Sequence, residues 1–340
     1  MSAQKAIAIV GANSLQGEAL LAVLEDQDFG FAGVHLLDVA EEAGGRLMLH
    51  GQSLRVEPLE SFDFSSVAVA LMALEPEQVI ACMPRIREAG CIAVDASGAL
   101  RSVTRVPLVV AAINPQALAS AVEAGAVNCP DAQTLLTAQV VHPLLAEAGV
   151  QMLSVATYQS ASTLGQSGLE ALALQTGKLL NGQPADAGLT GRQMAFNLIP
   201  RLGLLDESGN TQDELRMVND LCVLFDLPEL PVQVTQVLVP VFYGSAQVIQ
   251  VQNQEALEVA RIPVLLRRNR NLKLLDKPAD NGFPTPIEQA SGSDRLWVGR
   301  IRQNPQDPRL LQLWAVADNF RACLAMNQLQ VTQLLIKDFL

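Results

Sequence analysis

Aromatic residues, histidines and cysteines are all scarce in this chain of 340 residues. Aromatic side chains make up 4% of it, and there are three histidines, none of them after His142. The five cysteines, at positions 82, 91, 129, 222 and 323, show no CxxC spacing. They therefore predict neither a disulfide framework nor a structural zinc site, and they favour a reducing compartment.

Basic residues are also in the minority, with 23 Lys and Arg against 35 Asp and Glu and a formal net charge of −12. Binding to nucleic-acid phosphates needs a basic face, so this balance argues against nucleic acid as a partner. No apolar run reaches the roughly 18 residues that a membrane-spanning helix requires. The N-terminus lacks the apolar core of a signal peptide. We therefore expect no membrane partner and a cytoplasmic location.

The chain does contain a regular alternation of strands and helices in its first third. Apolar strand-forming runs occur at 5–10, 33–37, 67–71, 91–95 and 106–110, with helix-forming segments between them. This alternation predicts a doubly wound parallel sheet of the Rossmann type, in the α/β class.

The remainder of the chain has a different pattern, in which strands follow one another without helices between them. Strands are predicted at 152–158, 234–242, 246–252, 260–266, 297–302 and 311–316. The segment 270–293 is predicted as a long loop and 319–336 as a closing helix. Successive strands of this kind predict an α+β domain with a mixed sheet.

Gly11 and Gly17 flank the turn between the first predicted strand and the first helix. Two glycines there let the backbone approach a pyrophosphate, and the helix N-terminus supplies N–H donors. The spacing is GxxxxxG and not GxGxxG, so a plain strand-to-helix turn is the alternative. Asp38 ends the next strand, where a carboxylate accepts hydrogen bonds from the ribose of NAD and repels the 2′-phosphate of NADP. Glu41 and Glu42 strengthen that repulsion, unless they form only a solvated acidic turn.

Cys129 stands between a short apolar strand and an amphipathic helix that contains Leu135 and Val140. Pro130 suits the first turn of a helix, so Cys129 is predicted at or next to the N-cap. There the free N–H groups and the helix dipole favour a thiolate, which predicts a lowered pKa and a nucleophile. The alternative is a small buried cysteine. Arg101 follows a predicted strand and either holds an anion or is an ordinary surface arginine.

Several of these segments resemble the aspartate-β-semialdehyde dehydrogenase family, along nearly the whole chain. The matching pieces are Gly11 to Gly17, 106–110, Asn128-Cys129, Thr157-Tyr158-Gln159, 195–200, 298–302 and 318–321. The resemblance implies a homodimer that reduces an acyl phosphate to a semialdehyde with a nicotinamide cofactor, or runs the reverse reaction with phosphate. It implies a dinucleotide-binding domain over 1–128, completed by the helix 317–340, and a catalytic and dimerisation domain over 129–316.

The same resemblance assigns roles to particular side chains. Cys129 takes the place of the thiol that forms an acyl-enzyme, and Gln159 that of a glutamine that positions the substrate. Arg101, Asp213 and Arg216 match residues that bind substrate and phosphate. The cofactor-binding positions are Gly11, Asn13, Ser14, Leu15, Gly17, Asp38, Gly165 and Asn327.

Two positions depart from the family pattern. Leu238 stands where the family has an arginine that binds the substrate carboxylate, and Ser245 stands where it has a catalytic histidine. We therefore do not expect efficient turnover of aspartate semialdehyde. Two hypotheses stay open: an oxidoreductase for another aldehyde or acyl phosphate, and a catalytically silent dimeric paralogue that binds or regulates. For a cofactor, NAD is expected over NADP, or none, and no metal is expected.

Overall fold

The computed structural model describes residues 5–340 and divides the chain into two compact units. The first comprises the residues through Ala132 together with Phe320–Leu340, and the second comprises Gln133–Asn319. The sequence-based boundaries, after residues 128 and 316, fall slightly earlier. Residues 1–4, on which the expectation about a signal peptide partly rests, lie outside the described residues.

Between residue 5 and Ala132 and over Phe320–Leu340, the first unit contains seven strands. They are β1 (Ile7–Val10), β2 (Val34–Asp38), β3 (Arg46–Leu49), β4 (Gln52–Pro58), β5 (Val69–Met72), β6 (Ile92–Asp95) and β7 (Ala126–Asn128). They form one sheet in the order β3-β4-β2-β1-β5-β6-β7, and every neighbouring pair is parallel except β3 with β4. The helices are α1 (Leu15–Asp26), α2 (Pro76–Glu88) and α3 (Ala121–Ala124). The predicted doubly wound sheet is confirmed.

Both faces of this sheet are covered, which explains why its strands are apolar throughout. In β1, Ile7 and Ile9 belong to one core cluster, and Ala8 and Val10 belong to a second cluster. Successive side chains of a strand point to opposite faces, so one short strand contributes to two cores. All four residues are fully buried.

The end of the chain belongs to the same unit. A π-helix over Asn319–Ala325 leads into α8 (Met326–Asp338), whose apolar residues join the core cluster that contains Ile7. The Gln328 side-chain amide donates hydrogen bonds to the carbonyl oxygens of Met72 and Val94, at 3.1 and 2.9 Å. Because these carbonyls end β5 and lie in β6, α8 is fixed to the carboxyl edge of the sheet.

Two local predictions for this unit need correction. The segment 106–110 is not a strand but a single bridge, in which Asn128 N–H donates to Pro107 and Val109 N–H donates to Asn128. Pro107 has no N–H, so it cannot support a regular ladder there. The hairpin of β3 and β4 was not predicted. Its two-residue turn, His50-Gly51, has positive φ at both positions, 49° and 72°, and such turns usually contain Asn-Gly or Asp-Gly.

The second unit contains six strands. They are β8 (Val150–Gln159), β9 (Val232–Leu238), β10 (Ser245–Asn253), β11 (Leu272–Leu274), β12 (Leu296–Gln303) and β13 (Leu310–Ala317). The order is β11-β12-β13-β10-β8-β9, with β8–β9 and β11–β12 parallel and the other pairs antiparallel. The accompanying helices are α4 (Ala132–Ala148), α5 (Gly165–Leu180), α6 (Gln212–Phe225) and α7 (Ile262–Leu266). The predicted mixed sheet is confirmed.

The predicted strand at 260–266 is wrong. Val259–Arg261 form a 3-10 turn that continues into α7, and Pro263 lies in the first turn of that helix. Proline suits this position because the N–H that it lacks would have no partner there. The predicted loop 270–293 contains β11 and a π-helical turn over Pro286–Ala290. Across residues 5–340 no helix combines the length and the apolar character that spanning a membrane requires.

Candidate active site

The turn after β1 is built around two glycines. Gly11 has a positive φ of 94°, and a Cβ there would lie 2.4 Å from the carbonyl oxygen of Ala73. A Cβ on Gly17 would lie 2.2 Å from the carbonyl oxygen of Gly11. A side chain at either position would collide with these carbonyl oxygens. The two glycines therefore allow the strand and the helix to pack closely.

The N-terminus of α1 has the donors that a phosphate needs. Ser14 caps the helix: its Oγ accepts from the N–H of Gly17 at 3.0 Å, and its carbonyl accepts from Glu18. Within the described part of the chain this leaves the N–H groups of Leu15 and Gln16 without a partner, as is usual for a first helical turn. Two free N–H groups at the positive end of a helix fit a pyrophosphate.

Asp38, at the end of β2, lies beside this turn. Its Oδ2 accepts from the N–H of Asn13 and its Oδ1 from the N–H of Val39, both at 2.9 Å. The Asn13 side chain also donates to the carbonyl of Glu42 at 2.8 Å. Asp38 therefore holds the glycine turn in place, and each carboxylate oxygen keeps a further lone pair for ribose hydroxyls. These residues fit a dinucleotide.

Cys129 does not have the environment that its sequence context predicts. The helix α4 begins at Ala132, so Cys129 precedes it by more than one position and is not at the N-cap. The side chain is fully buried. Burial raises the pKa of the Cys129 thiol well above its usual value, and the charge of Asp95 raises it further. The prediction of a lowered pKa in the ligand-free protein is wrong.

Two groups oppose this shift. A hydrogen bond from Asn327 and the positive charge of Arg101 both lower the pKa of the Cys129 thiol. The Asn327 amide is fixed by its other bonds, since Oδ1 accepts from Ala111 N–H at 3.0 Å and Nδ2 donates to the Val109 carbonyl at 3.1 Å. Arg101 Nη2 lies 3.4 Å from the Cys129 carbonyl. Arg101, Asn327 and Cys129 thus lie together, and the cofactor role of Asn327 stays a prediction.

Asp95 is a site residue that the sequence reading missed. It ends β6 and is fully buried, and its carbonyl accepts from the Cys129 N–H. Its carboxylate accepts from the N–H and the hydroxyl of Ser97, at 2.9 and 2.7 Å, and from the Leu100 N–H. The sequence could have identified Asp95 by its position at the carboxyl end of a predicted parallel strand, because ligands bind there in such sheets.

In the second unit, three predicted positions come together at one end of the sheet. Gln159 in β8 is in register with Leu238 in β9, and Ala246 in β10 is in register with Tyr158. Ser245 consequently lies next to Gln159 on the other side. Gln159, Leu238 and Ser245 are all buried, with exposures of 4%, 0% and 2%. The two departures from the family pattern thus flank the predicted substrate-positioning glutamine.

A network of buried polar side chains extends from Ser245. Gln133 Nε2 donates to Ser245 Oγ at 3.0 Å. Gln247 Nε2 donates to the backbone carbonyl and to Oε1 of Gln133, at 2.8 and 3.0 Å. The Thr137 hydroxyl donates to Gln247 Oε1 at 2.7 Å. The sequence contains no local signal for this network, which joins α4 to β10 across more than a hundred residues.

Asp213 and Arg216 lie on α6, as predicted, one turn apart. Arg216 Nη1 lies 3.2 Å from Asp213 Oδ1, and both side chains are partly exposed. An exposed pair of this kind contributes little to stability, so both remain available to a ligand. Gly165 opens α5 with a φ of 71°. Among the described residues no cluster of His, Cys, Asp and Glu is placed to hold a metal.

In the ligand-free protein we expect iodoacetamide to modify Cys222 before Cys129. Cys222 is partly exposed, whereas the Cys129 thiol is buried and its pKa is raised. Peptide mapping after limited alkylation measures both rates. Cys82 and Cys91 are the controls, because burial raises the pKa of these thiols to about 11 and about 12. If Cys129 were labelled before Cys222, the hypothesis of an activated Cys129 thiol would be supported after all.

Comparison with known protein families gives two matches. Residues 6–121 match the semialdehyde dehydrogenase NAD binding domain, and residues 141–322 match the semialdehyde dehydrogenase dimerisation domain. The first match supports a nicotinamide cofactor, and the second supports the expected homodimer.

Individual relatives cover the whole chain. Aspartate-semialdehyde dehydrogenase 2 of Vibrio cholerae is 34% identical over 339 residues, covering 100% of both chains. A protein named USG-1 protein homolog from Pseudomonas aeruginosa is 36% identical over 340 residues, again covering 100% of both. The crystal structure of aspartate semialdehyde dehydrogenase II from Vibrio cholerae, complexed with ASA, superposes with a TM-score of 0.95 at 33% identity and 100% coverage of both chains. With both domain matches in place, the chain belongs to the aspartate-semialdehyde dehydrogenase family of NAD(P)-binding oxidoreductases.

Proposed function

We propose that this protein is an NAD-dependent oxidoreductase that acts on an aldehyde or acyl phosphate through a thioester on Cys129, with a substrate other than aspartate semialdehyde. The proposal depends on which residues lie beside Gln159. The amide that would position a substrate is retained, but Leu238 beside it is apolar and fully buried. A buried carboxylate without a charged partner is strongly disfavoured. The substrate is therefore one that lacks an α-carboxylate.

The residues around Cys129 support thioester chemistry. A bound NAD would supply the acceptor for the hydride that leaves the substrate carbon. The Cys129 sulfur attacks the carbonyl carbon, which requires the thiol proton to leave. Arg101 and Asn327 favour the thiolate, while burial and Asp95 oppose it. The balance favours the thiol in the ligand-free protein, so activation must accompany ligand binding.

The glycine turn and Asp38 support NAD as the cofactor. We assign the pyrophosphate to the N–H groups of Leu15 and Gln16, and the adenine ribose to Asp38. Glu41 and Glu42 are exposed in the turn after β2 and would repel a 2′-phosphate. We assign phosphate or an acyl phosphate group to Arg101, which lies beside Cys129 in the first unit. The protein would act in the cytoplasm as a homodimer.

A second candidate function is that of a catalytically silent paralogue that binds a ligand or regulates a partner. The full burial of Cys129 and its raised pKa favour this candidate, as does the absence of a histidine at position 245. Formation of NADH from a panel of small aldehydes, with and without phosphate, distinguishes the two. Turnover of an uncharged aldehyde above that of aspartate semialdehyde supports the enzyme, and no turnover of any aldehyde supports the silent paralogue.

NAD(H) should raise the melting temperature more than NADP(H) at equal concentration. A ligand that binds only the native state stabilises it by mass action, and 100 times its Kd gives about 2.7 kcal/mol. The Asp38→Ser variant should lose the preference for NAD(H), with Glu88→Ser at the end of α2 as an exposed acidic control. A larger shift with NADP(H) for the unchanged protein would overturn the assignment of Asp38.

A further inference from the structure

The hydrogen bonds that link α4 and β10 follow one another from donor to acceptor, and a single backbone group fixes their order. The carbonyl oxygen of Gln133 can only accept, so the Gln247 atom 2.8 Å away must be the amide nitrogen. Gln247 Oε1 then faces Thr137, whose hydroxyl must donate to it. No alternative rotation of the Gln247 amide satisfies both contacts.

The orientation of Gln133 follows from that of Gln247. Gln247 Nε2 lies 3.0 Å from the end of the Gln133 side chain, which must therefore present its oxygen there. Gln133 Nε2 then faces Ser245 and donates to its Oγ at 3.0 Å. The chain of donors runs from Thr137 through Gln247 and Gln133 to Ser245.

Ser245 consequently accepts from the network and keeps its own proton for another acceptor. Among residues 5–340 the hydrogen bond that the Ser245 hydroxyl forms is the one that it accepts from Gln133 Nε2. The side chain is nearly fully buried, and a buried hydroxyl with an unused proton is destabilising unless a ligand accepts from it. Donors that are linked in a chain also polarise one another, which strengthens the last donor.

The register of the sheet places this donor beside Gln159 in β8 and two strands away from Leu238 in β9. We propose that Ser245 is a directed hydrogen-bond donor to an acceptor oxygen of the bound substrate. Gln133 and Gln247 are positioning residues, which hold the Ser245 proton away from the network. Ser245 therefore does not replace a histidine as an acid or base. It binds a neutral carbonyl or hydroxyl oxygen at the end of the sheet where Leu238 is apolar. This inference rests on the proposed function for the identity of the ligand.

Kinetics of three variants test the coupling. Ser245→Ala removes the donor, and Gln247→Met frees the Gln133 amide to rotate and accept the Ser245 proton. Each should lower kcat/KM for the best aldehyde by about tenfold, the size expected for one hydrogen bond to substrate. The double variant should lose no more than the larger single loss, because both changes remove the same donor. Additive losses would show that Gln247 does not act through Ser245.

A matched control comes from Thr332 in α8, a buried threonine whose Oγ1 has no hydrogen-bond partner within the described structure. Thr332→Val removes a buried hydroxyl without breaking a bond, and kcat/KM should not change. Thr137→Val makes the same chemical change in the network. It leaves Gln247 held by the Gln133 carbonyl, so it should lower kcat/KM by no more than about threefold. An effect of Thr137→Val as large as that of Ser245→Ala would contradict the proposed order of donors.

Neutron diffraction from a deuterated crystal of the unchanged protein shows the direction of each hydrogen bond from Thr137 to Ser245 and needs no activity assay. It therefore tests the proposal even if Gln247→Met does not fold. We expect deuterium on the Thr137 hydroxyl towards Gln247, and two deuterium atoms on the Gln133 atom that faces Ser245. A Ser245 deuterium directed at Gln133 would overturn the proposal. If the deuterium positions were as expected but the protein oxidised no aldehyde, the proposed function and the donation to substrate would be refuted. The direction of the hydrogen bonds from Thr137 to Ser245 would stand.

Discussion

Cys129→Ser should reduce aldehyde oxidation by at least about 10³-fold, because the serine hydroxyl is a far weaker nucleophile and loss of a nucleophile is among the largest single effects in catalysis. Melting temperature should fall somewhat, because the change places a hydroxyl at a fully buried position. NADH formation with the best aldehyde of the panel measures the rate. Binding of NAD, followed by thermal shift, should be retained.

Cys91→Ser is the matched control for this experiment. Cys91 is as buried as Cys129 and directly precedes β6, but it lies outside the groups assigned to substrate and cofactor. We expect its variant to lose some stability and to keep kcat. If Cys129→Ser retained full turnover, the thioester mechanism would be wrong, and the silent paralogue would be excluded as well.

The double variant Leu238→Arg, Ser245→His should raise phosphate-dependent oxidation of aspartate semialdehyde by at least about tenfold. A positioned acid or base contributes about 10²–10⁴-fold to rate, and an arginine supplies the missing charge for a carboxylate. Either single change should do much less, because both groups act on one bound substrate. The rate of the double variant should rise with pH as the introduced imidazole loses its proton, below its usual pKa of about 6.5 because burial disfavours the charged form.

The structure also indicates why these substitutions should lower the stability of the folded protein. Leu238 is fully buried, so an arginine there takes a charge out of water. The imidazole at position 245 must displace the hydrogen bond from Gln133. Melting temperature is therefore measured first, with Leu238→Met and Ser245→Ala as controls of smaller size change. A folded double variant without any gain would mean that the pocket has diverged beyond these two positions.

Much of the fold is visible in the sequence because it depends on local patterns. The apolar run before Gly11 and the glycines of the turn predict a buried strand and a close strand-to-helix packing, and both are present. The hairpin at His50-Gly51 escaped prediction because its turn uses an uncommon residue pair. The helix over 262–266 was mistaken for a strand, since a short apolar run has no clear period.

The sequence predicts which residues belong to the candidate site better than it predicts the burial and charge around them. The argument for an activated Cys129 considered the helix dipole, a local effect, whereas burial and the charge of Asp95 dominate. These depend on strands that are distant in sequence. The same applies to Gln133 and Gln247, whose importance comes from a contact across more than a hundred residues. Spacing within a segment carries no information about such contacts.

The return of the final helix to the first unit has a consequence for biosynthesis. A ribosome delivers the chain from its N-terminus, so the strands around Ile7 emerge long before Leu329 and Leu335, which complete the same core cluster. The intervening unit is contiguous in sequence and can fold while synthesis continues. The nucleotide-binding half must meanwhile wait with an apolar face uncovered. The uncovered face favours aggregation of the nascent chain until Leu329 and Leu335 have been synthesised.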